Sequence, residues 1–343
     1  MNAMEPFDAC GLRYASDDEP GFGRRRRGKG FSYHRADGKH ISQTRVISRI
    51  ERLAIPPAWI DVWICADATG HIQATGRDGA GRKQYRYHAA WLEMRRANKF
   101  NQLRNFGGCL PALRDAVMSD LQSRGLNARK VVATVVWLLD NTLIRVGNEA
   151  YVRENNSFGL TTLRNRHVEI TGHKLKFTFK GKSGQKWDLR LSDRRIAHTV
   201  RAIQTLPGQR LFQYRDQDDG LNQVSSQDVN AYIKQAVGEE FSSKDFRTWG
   251  GTVRAFALLG QTPVPPNMSD QKRQLNAVID KVARELGNTR AVCRACYIHP
   301  KLIERWGSGE LAADVAQLGR TRSRSGLDVE ETAALRWLEN QSE

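Results

Sequence analysis

A tyrosine near the end of the chain, Tyr297, stands in a setting that could support nucleophilic chemistry. Asn288 precedes it by nine residues, and the surrounding sequence is rich in arginine and lysine. A single tyrosine on an amphipathic helix is usually a packing residue whose hydroxyl bonds to a neighbour. The chemical interpretation of Tyr297 therefore depends on its companions elsewhere in the chain.

A phenol that attacks a phosphodiester has specific electrostatic needs. Its pKa is about 10, so the phenolate costs about 4 kcal/mol to form at neutral pH unless cations stabilise it. The transition state places negative charge on the non-bridging oxygens, which favours fixed guanidinium groups, and the departing sugar oxygen needs a proton. Two arginines, a lysine and a hydrogen-bond donor meet these needs without a metal ion.

The composition indicates a polyanionic partner. The 343 residues include 54 Lys and Arg against 37 Asp and Glu, which gives a formal net charge of +17. Such an excess favours nucleic acid, although ribosomal and membrane-surface proteins share it. We expect a cytoplasmic protein without membrane contact, because no apolar run has the length of a membrane helix and the N-terminus does not resemble a secretion signal.

The cysteine pattern does not indicate a disulfide framework or a metal site. The five cysteines are an odd number scattered over a long chain. Cys293 and Cys296 form a C-x-x-C, but no second cysteine pair or suitably spaced histidine pair completes a zinc site. We predict reduced, structural thiols and no bound metal.

The pattern along the chain predicts an α+β fold with two domains. Residues 1–30 are acidic and then abruptly basic, and end in Arg-Arg-Arg-Arg-Gly-Lys-Gly. Their low apolar content predicts a mobile basic arm, which could add sequence-independent phosphate contacts beside a DNA-binding domain. Residues 31–107 show short mixed segments, with a helix predicted over 44–53 and strands near 62–65 and 71–75. This is predicted to be a small, β-rich N-terminal DNA-binding domain.

One segment of this domain mixes basic, amide and aromatic side chains. Alternation in Arg82-Lys83-Gln84-Tyr85-Arg86-Tyr87-His88 places Gln84 and Arg86 on one face of a strand and Tyr85 and Tyr87 on the other. The alternative is a purely structural strand whose tyrosines pack in a core while its basic residues are exposed to solvent. Interleaved basic and aromatic residues also favour contact with a nucleic-acid groove.

Residues 108–343 are predicted to form a larger, mainly α-helical catalytic domain, with a tail from about 308. Asn105 to Gly108 predict a linker before it. An apolar run at 131–139 predicts a buried helix, and further helices are predicted over 192–206, 226–237, 243–259 and 268–286. Between them, a period of two over 168–191 predicts a three-stranded antiparallel sheet with Lys182 in its second turn.

Gly181-Lys182-Ser183 lacks the upstream glycine of a P-loop, which argues against a nucleoside triphosphate site.

These segments together resemble the type IB DNA topoisomerases, particularly the compact bacterial and poxvirus form. The family motifs are Arg-hydrophobic-Gly followed by a tyrosine, a Gly-Lys hairpin turn, Lys-Asp-hydrophobic-Arg-Thr, and His or Asn nine residues before the nucleophile. In this chain they are Arg145-Val146-Gly147 with Tyr151, Gly181-Lys182, Lys244-Asp245-Phe246-Arg247-Thr248, and Asn288 with Tyr297. The resemblance covers about residues 31 to 306, since Arg82-x-Gln84-Tyr85-x-Tyr87 is similar to the segment that contacts the target site in poxvirus enzymes.

The resemblance implies an isomerase that relaxes supercoiled duplex DNA without ATP, metal or another cofactor. Tyr297 would attack the DNA to form a 3′-phosphotyrosyl link and free a 5′-hydroxyl, with Lys182 as the general acid. Arg145 and Arg247 would clamp the non-bridging oxygens, and Asn288 would donate a hydrogen bond to one of them. The free end would rotate before the 5′-hydroxyl reverses the attack.

The resemblance also implies how the enzyme would hold its partner, double-stranded DNA. It implies a monomer that clamps the duplex and is associated with the nucleoid. The residues expected to contact DNA outside the reacting group are Arg82, Gln84, Tyr85, Tyr87, Tyr151 and Lys244.

Two positions depart from the family pattern. Many relatives carry His where this chain has Asn288, and an amide can donate a hydrogen bond but cannot become cationic. Asn148 occupies a position where poxvirus enzymes have lysine, which argues against transferring their strict sequence preference to this chain.

Two other interpretations stay open from the residues. A tyrosine recombinase shares this chemistry and catalytic-domain fold, but usually has His three residues before its second arginine, where this chain has Lys244, and a helical first domain. A nucleic-acid-binding protein without catalysis would account for the charge alone. Taken singly, Arg145, Lys182 and Arg247 could each be an ordinary helix-end, turn or ion-pairing residue, and the case for catalysis depends on the ordered set.

Overall fold

The computed structural model describes residues 11–319 and 321–341. The chain divides into two compact units, the first of which ends at Lys99 and the second of which begins at Phe100. Among the described residues, no helix combines the length and the apolar character needed to cross a membrane.

The first unit is built on a five-stranded antiparallel sheet. Helix α1 (Thr44–Arg52) adds Ile50 to a small core with Val62, Ile64 and Ala74. The predicted helix and β-rich character of this region are confirmed. The strands are β1 (Phe22–Arg27), β2 (Gly30–His34), β3 (Ile60–Ile64), β4 (Ile72–Arg77) and β5 (Lys83–Tyr87). They lie in the sheet in the order β2-β1-β3-β4-β5.

The prediction of a mobile basic arm is wrong for its C-terminal part. The arginine run lies in β1, which pairs with β2 on one side and β3 on the other. This strand is held in place despite its low apolar content. Phe22 and Tyr33 pack against the core, and the Arg24 guanidinium donates to backbone carbonyls. Residues 1–10 of the predicted arm lie outside the described residues.

The second unit is mainly helical, as predicted. Its helices begin at conventional caps: the Asn127 side chain accepts from the Lys130 amide, and Ser242 forms a capping box with Asp245. Helix α2 (Ala89–Leu121) enters this unit at Phe100. The other helices are α3 (Ala128–Thr142), α4 (Glu149–Asn155), α5 (Arg194–Gln204), α6 (Ser226–Val237), α7 (Ser243–Gly260), α8 (Met268–Glu285), α9 (Arg290–Cys296), α10 (Pro300–Gly307), α11 (Glu310–Leu318) and α12 (Val329–Asn340).

The linker predicted at Asn105 to Gly108 is wrong, since these residues lie inside helix α2. Gly107 is explained by packing: a Cβ atom there would lie 2.3 Å from the Trp249 ring. The glycine therefore lets α2 approach α7 closely and does not mark a hinge.

The predicted three-stranded sheet is present as β6 (Val168–Thr171), β7 (Lys174–Lys180) and β8 (Lys186–Ser192), in sequence order. The alternation buries Leu175, Phe177 and Phe179, which stand opposite Leu191, Leu189 and Trp187. Lys182 lies in the turn between β7 and β8, as predicted. A two-stranded sheet of β9 (Gln213–Arg215) and β10 (Leu221–Gln223) was not predicted, because its strands are too short for a periodic pattern.

The C-terminal helix α12 is joined to the core by a partly buried ionic network. Arg114 on α2 donates to Asp140 at 2.7 and 2.9 Å and to Glu331 at 2.7 and 2.8 Å. Glu331 also accepts from the Trp249 indole nitrogen at 3.1 Å. The network ties α12 to α7, the helix that carries Arg247.

Candidate active site

A cleft in the second unit brings most of the predicted catalytic residues together. Its volume is about 560 Å³. Four of the five predicted catalytic residues line it, as do the predicted DNA contacts Tyr151 and Lys244. The lining is Arg145, Val146, Gly147, Asn148, Tyr151, Phe158, Gly159, Lys182, Ser226, Asn230, Ser243, Lys244, Arg247 and Tyr297.

Tyr297 stands directly after helix α9, and its backbone is held against α7. Its amide donates to the Cys293 carbonyl at 2.9 Å, and its carbonyl accepts from the Thr252 hydroxyl at 3.2 Å. A Cβ atom on Gly251 would lie 2.7 Å from the Tyr297 carbonyl oxygen. Gly251 therefore allows the tyrosine backbone to contact the helix that carries Arg247.

Arg247 is almost fully buried, at 3% exposure, beneath the tyrosine. Its terminal nitrogens donate to the carbonyls of Leu143 and Leu286, and its guanidinium carbon lies 5.0 Å from the Tyr297 ring centroid. Burial, followed by repulsion from Arg145, lowers the pKa of Arg247, whereas its interactions with Tyr297 oppose that shift. The two carbonyls fix the orientation of a charge that the interior disfavours.

Arg145 and Asn288 form the second part of the site. A terminal nitrogen of Arg145 donates to the Asn288 side-chain oxygen at 2.5 Å. Asn288 follows the end of α8, where Gly287 has a φ of +56° and the Asn288 amide donates to the Ala283 carbonyl at 2.8 Å. A glycine with positive φ directly after the last helical residue is a common way for a helix to end.

Two buried donors of the site have no hydrogen-bond partner among the described residues: the Arg247 Nε and the Asn288 side-chain nitrogen. Buried donors are normally satisfied, and an unsatisfied one costs about 1–3 kcal/mol. One belongs to Arg247, which packs against the Tyr297 ring, and the other to Asn288, which is bonded to Arg145, so a ligand with acceptor oxygens could complete the site.

Lys182 reaches the cleft from the turn between β7 and β8. Its side chain is exposed, and its ammonium nitrogen lies 5.2 Å from the Tyr151 ring centroid. Gly181 permits the turn to sit on the sheet, because a Cβ atom there would lie 2.7 Å from the Trp187 indole nitrogen. Lys182 is thus held on a short turn on the cleft wall, next to Tyr151.

The two predicted DNA contacts of the second unit lie at the cleft surface. Tyr151, on α4, is 41% exposed. Lys244 is exposed in the first turn of α7, where Asp245 completes the capping box and leaves the lysine side chain outside it.

Sequence reasoning missed three polar residues of the cleft: Ser226, Asn230 and Ser243. The Asn230 side-chain oxygen accepts from the Ser243 amide at 3.0 Å, which links α6 to the start of α7. Ser243 lies beside the Lys-Asp motif and could have been included on that ground. No local pattern distinguishes Ser226 or Asn230.

The remaining predicted DNA contacts, on strand β5, belong to the first unit and do not line the cleft. Tyr85 and Tyr87 are 42% and 38% exposed, and their rings stack with centroids 5.8 Å apart. Arg82 and Gln84 donate to Asp78, both at 2.9 Å. The predicted alternation is confirmed, and the tyrosines occupy the exposed face, not a core.

The described residues contain no group of three or more His, Cys, Asp or Glu side chains arranged to hold a metal ion. Of the C-x-x-C pair, Cys293 is buried and Cys296 is exposed. Burial raises the pKa of Cys293 to about 12, so this thiol stays protonated at neutral pH.

A tyrosine beside two guanidinium groups, on a helical domain with a three-stranded sheet, defines a class of protein. It is the arrangement shared by tyrosine recombinases and type IB topoisomerases, which join DNA ends through a tyrosine. Comparison with known proteins separates the two.

Residues 88–319 match the family model described as eukaryotic DNA topoisomerase I, catalytic core, and residues 30–78 match the one described as bacterial DNA topoisomerase IB, N-terminal domain. The chain is 35% identical to DNA topoisomerase 1B of Acanthamoeba polyphaga mimivirus over 83% of this chain and 87% of that protein. It is 22% identical to DNA topoisomerase 1B of Vaccinia virus (strain Copenhagen), over 74% of this chain and 80% of that protein. The chain belongs to the type IB DNA topoisomerases, and its activity is that of a DNA topoisomerase.

Proposed function

We propose that Tyr297 is the nucleophile of this topoisomerase. Its phenolic oxygen attacks a DNA phosphorus, a 3′-phosphotyrosyl bond forms, and the bond to the 5′ oxygen of the next nucleotide breaks. The observation that carries the proposal is the packing of Arg247 against the Tyr297 ring, where the buried Arg247 Nε has no hydrogen-bond partner in the described part of the chain.

Arg247, Arg145 and Asn288 would act together on the non-bridging oxygens. Within the described residues, the Arg247 Nε and the Asn288 side-chain nitrogen make no hydrogen bond, while the Asn288 oxygen accepts one from Arg145. Donors fixed before the reaction stabilise developing charge without reorganisation, and each is typically worth 10²–10³-fold, roughly, in rate. Cations beside the phenol also favour its ionised form.

Lys182 would be the general acid that protonates the departing 5′ oxygen. Its position on a turn at the cleft wall allows its ammonium group to approach a bound backbone, and Tyr151 holds it there by a cation–π contact in the absence of DNA. Proton transfer to a leaving group contributes about 10²–10⁴-fold in rate.

The reaction conserves the energy of the broken bond. A phosphodiester is exchanged for a phosphotyrosine, and the freed 5′-hydroxyl can reverse the attack after the DNA has rotated. The proposal therefore requires no ATP and no cofactor.

Duplex DNA would be bound by both units of one monomer, which clamp it. Tyr151 and Lys244 at the cleft would contact the duplex, and so would the exposed tyrosine pair on β5 together with Arg82 and Gln84. The net charge of +17 favours this binding and a nucleoid-associated location.

Relaxation of a supercoiled plasmid in EDTA without ATP tests the proposal, with Tyr297→Phe as the matched variant. We expect the wild type to relax the plasmid and to form a covalent protein–DNA complex on a denaturing gel. The variant should bind DNA and do neither. Relaxation by Tyr297→Phe would assign the nucleophile to another residue.

A further inference from the structure

The hairpin of β1 and β2 presents a cluster of cations that the catalytic site does not use. The segment from Gly21 to Arg35 contains no acidic residue. Four cations around its turn are exposed, whereas Arg24 is half-buried and donates to the carbonyls of Ile55, Pro56 and Trp59. The four, called here the hairpin cations, are Arg25, Arg26, Arg27 and Lys29.

The hairpin cations are held on a well-paired ribbon. Five consecutive residue pairs join the two strands, from Gly23 opposite His34 to Arg27 opposite Gly30. Strand β1 also pairs with β3, and Phe22 and Tyr33 anchor the ribbon to the core. The backbone that carries these charges is therefore fixed before any partner binds.

None of the hairpin cations makes an ion pair or a side-chain hydrogen bond within the described part of the chain. Clustering like charges without partners destabilises a fold. Successive strand residues point to opposite faces, so Arg25 and Arg27 occupy one face and Arg26 the other. A ribbon that is cationic on both faces suits a partner with closely spaced negative charges.

We propose that the hairpin cations bind the phosphodiester backbone of duplex DNA and so add affinity that does not depend on sequence. Guanidinium groups bind phosphate oxygens well, and the major groove of B-DNA admits a two-stranded β-ribbon between two rows of phosphates. The proposal takes DNA as the substrate of the family and does not depend on the roles assigned to the cleft residues.

The salt dependence of DNA binding tests this surface. Log affinity falls with log salt by about 0.9 for each phosphate neutralised on B-DNA. The test variant replaces Arg25, Arg26 and Arg27 by Thr, which keeps a β-forming residue at each position, in a Tyr297→Phe background that prevents covalent capture. Fluorescence anisotropy with a labelled duplex is measured across a salt series. We expect the slope to fall by about 0.9 to 2.7, for one to three lost contacts.

Two matched controls separate local contacts from net charge. Arg→Lys at the same three positions keeps the charges and should keep the slope close to that of the parent. A triple Ala variant at Arg124, Lys272 and Lys281 removes three exposed cations from the second unit and should change the slope less than the Thr variant does. If the Thr variant does not fold, Lys29→Glu at the turn tests the same surface and should lower affinity and slope.

An unchanged slope in the Thr variant, or an equal fall in the second-unit control, would overturn the proposal. A second measurement separates failure of this proposal from failure of the proposed catalytic site. It is the rate of covalent complex formation at saturating protein, for the Thr variant with Tyr297 restored. The Thr variant should cleave at the wild-type rate once DNA is bound, because the hairpin does not line the catalytic cleft.

Discussion

The Asn288 side chain accepts a hydrogen bond from Arg145 through its oxygen, at 2.5 Å, while its nitrogen has no partner among the described residues. In the proposed site, this amide would orient the Arg145 guanidinium and leave a donor for the substrate. Asn288 would therefore both orient Arg145 and bind the substrate while carrying no charge.

Changing Asn288 tests both tasks. Asn288→Asp keeps an acceptor for Arg145 but loses the donor and adds a negative charge, so we expect cleavage to slow by about 10²-fold or more. Asn288→His should retain activity because an imidazole can also donate. Single-turnover cleavage of a duplex that cannot religate measures both. If Asn288→His abolished cleavage while folding normally, the placement of this residue in the site would be wrong.

Replacing Lys182 tests the assignment of the general acid. Lys182→Ala should slow cleavage of ordinary DNA by about 10²–10⁴-fold. A substrate with sulfur in place of the 5′ bridging oxygen should restore the rate, because a thiolate leaves without a proton. Arg247→Ala, the comparison variant, should not be rescued. Lack of rescue in Lys182→Ala would remove Lys182 from this role.

Gly251→Ala tests whether the close approach of Tyr297 to α7 positions the nucleophile. The new methyl group would lie 2.7 Å from the Tyr297 carbonyl oxygen, so backbone must move. We expect a loss of about 1–3 kcal/mol in unfolding free energy and slower cleavage. Gly108→Ala is the control, since its methyl group meets nothing within 4 Å and helical Gly→Ala stabilises by about 0.4–1 kcal/mol. Wild-type cleavage by Gly251→Ala would exclude this role.

The network around Glu331 predicts that the C-terminal helix stabilises the helix of Arg247. Glu331→Ala leaves Arg114 paired with Asp140 but removes its bonds to Glu331 and the acceptor of the Trp249 indole, which should cost about 1–3 kcal/mol in unfolding free energy. The neighbouring Glu330 is exposed and approaches Arg254 only at 3.8 Å, so Glu330→Ala should cost less than about 1 kcal/mol. Urea unfolding of the two variants checks the difference, and equal losses would contradict it.

His299 lies two residues after Tyr297, and its lowered pKa should reduce the free energy of unfolding in acid. Burial, aided by Lys301, lowers the pKa of His299 from 6.5 to about 4. Between these values the unfolded chain binds the proton more readily, so the free energy of unfolding falls as pH decreases, by at most about 1.4 kcal/mol per pH unit. His299→Asn keeps a helix-cap acceptor for the Lys301 amide and should make the pH dependence shallower. An unchanged dependence would show that His299 does not contribute.

Local sequence patterns were sufficient to predict the strands, the turn and the helices that carry the candidate site residues. The period of two placed the three strands and the Lys182 turn, and capping residues and apolar periodicity placed α7 and α8 close to their observed bounds. These features depend on interactions between residues near each other in sequence, which is why the motif residues could be assigned to a turn and to helix ends.

Tertiary structure decided which of these residues meet and which charges are buried. Buried Arg247 donates to the carbonyls of Leu143 and Leu286, and Gly107 packs against the Trp249 ring. These contacts join residues far apart in sequence, so no local periodicity predicts them. The basic run that was predicted to be mobile became a strand because β2 and β3 supply its hydrogen bonds and a distant core anchors it. Residue types and spacing determined the available chemistry of this protein, whereas long-range packing determined its geometry.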